Sequence, residues 1–102
     1  MFKLCPDPTF WTSVSIPIPG GESGTIEVEC IHMGREAFQA FIEDAKSGDD
    51  LTTCAAIVRG WKGIDVEFSA EALAELLDNY PAAAGQIVRA YSEELVGARR
   101  KN

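Results

Sequence analysis

At 102 residues, with 46% hydrophobic and 25% charged residues, the chain is long enough for one modest core and too balanced in composition to be disordered. Its net charge of −7 is unevenly placed: setting aside Arg99, Arg100 and Lys101 leaves six basic against sixteen acidic residues, a charge of −10 over 1–98. A body this acidic repels phosphate backbones, which excludes nucleic acid as a natural partner, and no apolar run approaches the roughly 20 residues that span a bilayer.

Residues 1–9 contain Pro6, Asp7 and Pro8 and read as an irregular lead-in. From Trp11 the pattern alternates, with Val14, Ile16 and Ile18 on one side and Ser13, Ser15 and Pro17 on the other, which predicts a half-buried strand. Pro19 to Gly24 is a turn. A second alternating run puts Ile26, Val28 and Cys30 inward and Thr25, Glu27 and Glu29 outward, completing an antiparallel hairpin. Pro17 suits an edge position, whereas the second strand carries no proline and is expected to offer a free side to a partner's strand, unless a helix or the lead-in covers it.

Helical spacing begins near Arg35, with Phe38, Phe41, Ile42 and Ala45 on one stripe and Ser47-Gly48 as its stop. Asp49-Asp50 caps a second helix, whose stripe of Leu51, Cys54, Ala55 and Val58 runs to Gly60. Trp61 to Phe68 reads as a loop anchored by its apolar residues. Ser69 is an N-cap for a third helix with Leu73, Leu76, Leu77 and Tyr80 inward. Pro81 fits the first turn of a fourth helix carrying Ala84, Ile87, Val88, Tyr91 and Leu95, with Gly97 near its end. The expected fold is therefore α+β, an N-terminal antiparallel β-hairpin (1–33, with its lead-in) followed by about four α-helices (34–102) in one small domain.

Chemistry is sparse along this frame. His32 is the one histidine, and Cys5, Cys30 and Cys54 are scattered without a C-x-x-C pair, so no metal site is expected. Cys30 and Cys54 fall on inward stripes and read as core thiols in a reducing compartment, not as nucleophiles paired with His32. No phosphate-binding glycine motif occurs, and the adjacent carboxylates Asp49-Asp50 and Glu93-Glu94 diverge from each other. The fourth helix carries only Arg89 before the terminal cluster, too few cations for a recognition helix. No catalytic residue and no cofactor is expected. Trp61 anchors a loop, Phe68 precedes a capped helix, and Tyr80 and Tyr91 continue apolar stripes, so these four read as core in preference to an exposed interface set. Phe10 and Trp11 at the hairpin entrance are instead candidates for a partner-binding surface. Arg89, Arg99 and Arg100 join them as cations able to meet an acidic surface, although terminal cations also suit a helix C-terminus.

One stretch resembles a known family. Gly60-Trp61, Gly63-Ile64-Asp65, Phe68-Ser69, Leu73, Leu76-Leu77-Asp78-Asn79-Tyr80-Pro81-Ala82-Ala83, Ile87, Ala90-Tyr91, Ala98-Arg99 and Lys101-Asn102 are similar to small tail assembly chaperones of long-tailed, siphovirus-type bacteriophages and prophages. Pro8-Thr9-Phe10 and Ile16-Pro17 with Pro19-Gly20-Gly21 extend the likeness over most of the chain. It departs at Glu67, where relatives more often carry proline, and at Cys30, where they more often carry an aromatic. The resemblance implies a non-catalytic protein of phage morphogenesis that binds the tape measure protein and helps recruit tail tube subunits. It implies action in the host cytoplasm and absence from the mature virion, with self-association left open. The competing expectations are a structural protein retained in the tail or head–tail junction and, more distantly, a small thiol enzyme.

Overall fold

Strand parity decides the first layer. In the computed structural model, which describes residues 1–97, the hairpin consists of β1 (Thr9–Ile16) and β2 (Gly24–Ile31), paired antiparallel from Thr9 opposite Ile31 to Ile16 opposite Gly24. Thr12, Val14 and Ile16 alternate inward with Ile26, Val28 and Cys30, while Trp11, Ser13, Ser15, Thr25 and Glu27 face outward. Gly20 closes the connection with φ of +78°, a conformation that costs glycine nothing.

Two helices follow, α1 (Arg35–Ser47) and α2 (Asp50–Ile57). Phe41 is the buried residue of α1, with Phe38 and Ile42 partly covered beside it. Asp49 caps α2: its carboxylate accepts from the Thr52 amide at 3.1 Å and the Thr52 hydroxyl at 2.7 Å. Those bonds, the hydroxyl's first, hold the Asp49 carboxyl below its ordinary range.

The chain then departs from the expected helix and loop. Helix α2 stops at Ile57, and Val58–Lys62 forms a third strand, β3, on the far side of β2, giving the order β1-β2-β3. Lys62 lies opposite Glu27, Trp61 opposite Val28, Gly60 opposite Glu29 and Val58 opposite Cys30. Three steps on β3 from Val58 to Trp61 therefore match two on β2, a bulge that accommodates Arg59. The bulge lets Val58 and Trp61 both point inward at a spacing of three, which imitates helical periodicity. The side of β2 expected to be free for a partner is consequently occupied by this chain's own strand.

Helices α3 (Ala70–Asn79) and α4 (Ala83–Val96) complete the fold. The Ser69 hydroxyl accepts from the Ala72 amide at 3.0 Å and caps α3, as its position predicts. Leu73 is the fully buried residue of α3, while Leu76, Leu77 and Tyr80 are only partly covered. Pro81 sits in a turn ahead of α4, not in its first helical turn, and the Ala83 amide donates to the Tyr80 carbonyl across it at 2.8 Å. That is the bond of a β-turn with proline at its second position. Gly97, at φ of +73°, terminates α4 and donates back to Glu93 and Glu94.

The result is a small compact α+β domain. Helix α4 lies along β1, and its Ile87, Ala90 and Tyr91 meet the inward face of the sheet with Cys54 and Ile57 of α2. Tyr91 is the centre of the aromatic packing. Its ring stacks on Phe10 at 5.7 Å and takes an edge contact with Phe41 at 5.7 Å, and its hydroxyl donates to the Ile31 carbonyl at 3.0 Å. Burial pushes the Tyr91 phenol up to about 12, with Cys30 adding to the effect.

Candidate partner-binding surface

With the helices on one side, the other face of the sheet is left open among the described residues. It carries Trp11, Ser13 and Ser15 from β1, Thr25, Glu27 and Glu29 from β2, and Lys62 from β3. Two short polar links order it. The Thr9 hydroxyl donates to Glu29 at 2.8 Å, and the Lys62 ammonium stands 4.1 Å from the Trp11 ring centroid. A cation over an indole face is a modest attraction at an exposed site, enough to bias the ring toward one orientation. Gly60 faces this side too, and a methyl there would stand 3.2 Å from a Glu29 oxygen, a tight contact that a small shift of that flexible carboxylate would relieve.

Phe10 and Trp11 are neighbours in sequence and point to opposite faces. Phe10 is half-buried against Tyr91, whereas Trp11 keeps 39% of its surface exposed. Both nevertheless border a cleft of about 400 Å³ at the end of the sheet, closed by Pro6, His32 and Leu95. Asp7 and Glu94 give its rim negative charge. Arg89 lies elsewhere, exposed on α4, with its Nε 3.4 Å from Glu93 and beside a smaller cleft along β1. Arg99 and Arg100 lie outside the described residues. The candidates thus separate into a Phe10–Trp11 end and an Arg89 flank.

Two further grooves had no warning in the sequence. One, of about 370 Å³, opens at the hairpin-turn end between Ile18, Gly24 and Ile26 on the sheet and Ile64, Leu76 and Tyr80. The other, of about 270 Å³, lies between Trp61, Val66 and α3, and shares Ile64, Asp65, Leu76 and Tyr80 with the first. Parity placed Ile18 on the inward side, but it lies beyond the end of β1 and remains 42% exposed.

The thiols behave as their stripes predict. Cys30 and Cys54 are fully buried, and burial pushes each up to about 12. At neutral pH such a thiol stays protonated, which makes a poor nucleophile. Cys54 Sγ approaches the Ala84 carbonyl at 3.9 Å, His32 is exposed at the end of β2, and Cys5 is exposed in the lead-in. Among the described residues no group of acidic, histidine or cysteine side chains is arranged to hold a metal ion, and no helix is long and apolar enough to cross a membrane.

No curated protein and no solved structure matches the chain. A family model described as phage tail assembly chaperone matches residues 1–102, the entire sequence, including both the hairpin and the stretch from Gly60 onward that carries the resemblance. The chain therefore belongs to the phage tail assembly chaperone family.

Proposed function

We propose that this protein is a non-catalytic chaperone that holds the tape measure protein during tail assembly and assists the addition of tail tube subunits around it. The observation that carries this reading is the family match over residues 1–102. The contact is assigned to the Phe10–Trp11 end. A half-exposed tryptophan bordering a cleft is the kind of anchor that dominates protein interfaces, and Phe10 beneath it is held by the Tyr91 stack. The acidic rim would favour a segment with basic residues among its apolar ones. Arg89, with Arg99 and Arg100, is proposed as a secondary contact for acidic groups of the same partners. The protein acts in the host cytoplasm as one domain and leaves before the particle is complete.

Co-expression with the neighbouring tape measure protein tests this directly. The expected result is a soluble, co-purifying complex that Trp11→Ala weakens at least about tenfold at a temperature where the isolated variant remains folded. A tape measure protein that remains insoluble and unassociated in the presence of the wild-type chain would sink the reading. Mass spectrometry of purified particles should find no copy of the chain.

A further inference from the structure

The lead-in of this protein leaves three large apolar side chains, Met1, Phe2 and Leu4, with nothing to pack against. Phe2 is 95% exposed and Leu4 93%, although a chain with a core of this size has packed most of its other large apolar residues. Between them stands Lys3, the one charged side chain of residues 1–6, held by an exposed ion pair to Asp7 at 2.7 Å. Such a pair is readily exchanged.

At the opposite end of the sheet lies the groove of about 370 Å³ lined by Ile18, Ile64, Leu76 and Tyr80. Its one charged lining residue is Asp65, which has no ion pair among the described residues, and the adjoining groove adds Glu75. The arm is apolar with a positive charge, and the groove is apolar with a negative rim.

We propose that the Phe2–Leu4 arm of one copy seats in the Ile18–Tyr80 groove of a second copy, with Lys3 exchanging Asp7 for Asp65. Geometry excludes the chain's own groove. Strand β1 carries the chain about 22–24 Å from Thr9 to Ile16, and the groove begins there. From Thr9 back to Leu4 a fully extended chain reaches at most about 18 Å. Phe2 would need to double back along the whole sheet in a straight path, which the Pro8 carbonyl, bonded to the His32 amide one step beyond the Thr9–Ile31 pair, denies it by carrying the chain away from the groove. Arm and groove are different surfaces, so the contact joins unlike ends of two molecules.

Sedimentation of the purified chain alone, at physiological salt, reads this contact independently of any tail protein, so its failure would leave the chaperone assignment untouched. The expected result is concentration-dependent self-association that F2S/L4S weakens about ten- to a hundredfold, with an unchanged melting curve because both side chains are exposed. Ile18→Ser should weaken it similarly. Mixing the arm variant with the groove variant should restore a one-to-one complex, since each supplies the half the other lacks. A strictly monomeric wild-type chain would overturn the proposal, as would an oligomer that neither variant weakens. So would an arm variant that still self-associates but loses the tape measure protein, because the occupant would then be that partner.

Discussion

Tyr91→Phe isolates one hydrogen bond on which the joining of α4 to the sheet depends. The substitution removes the hydroxyl that donates to the Ile31 carbonyl at 3.0 Å and leaves the ring where Phe10, Phe38 and Phe41 contact it. No cavity forms, so the cost is that of a lost bond with its acceptor left in place, about 1 kcal/mol within a range of about 0.5–1.5. For a domain of this size that corresponds to a fall of about 4–8 °C in the melting midpoint. Urea denaturation followed by far-ultraviolet circular dichroism should show a lower midpoint at an unchanged slope. Combining it with Phe10→Leu tests independence of ring and hydroxyl, because the Phe10 stack should persist in the Tyr91→Phe background and the two costs should add. A midpoint equal to wild type would refute the bond, and a cost above about 3 kcal/mol would show that the ring itself had moved.

Three other outcomes follow from the same packing. Leu73→Ala should cost about 2–5 kcal/mol because that side chain is fully buried, while Leu76→Ala, at the edge of two grooves, should cost clearly less; equal losses would contradict the burial difference. Ser69→Ala should lower stability by about 1 kcal/mol and fray the start of α3, readable as faster amide exchange at Ala72. The stability contributed by the buried thiols and the Tyr91 phenol should be fully present below about pH 8 and be lost as pH rises from there toward about 12. Cys30 and Cys54 are raised from 9.0 and Tyr91 from 10.0, each to about 12, so the unfolded chain releases those protons first. Cys54→Ala should flatten that decline in a pH series of urea midpoints, and an unaltered slope would count against the burial of the thiol.

Local sequence signals carried the hairpin, the two side-chain caps and all four helices, because each rests on a short-range rule. Alternation fixed β1 and β2, and Asp49 and Ser69 are N-caps as their positions indicate. Strand β3 escaped because Val58 continues the helical spacing of Leu51, Cys54 and Ala55 up to Gly60, and the bulge at Arg59 deprives Val58–Lys62 of the alternation that marks a strand. The Phe10–Trp11 distinction was available: Phe10 shares parity with Thr12 and Val14, and Trp11 with Ser13 and Ser15. The grooves were not, since Ile18, Ile64 and Leu76 come from three distant segments and meet only through tertiary packing.

The placement of β2 between β1 and β3 also sets an order of events during synthesis. Strand β3 follows two complete helices, so one side of β2 stays bare on the ribosome until α1 and α2 have emerged and their closure brings Val58–Lys62 back. Throughout that interval Glu27 and Glu29 stand on the exposed strand, charges that discourage nascent neighbours from zipping onto it. The same topology means that cleaving the chain between residues 33 and 34 severs the sheet from its own third strand. Neither fragment should fold alone, while the two mixed together should regain the β2–β3 ladder.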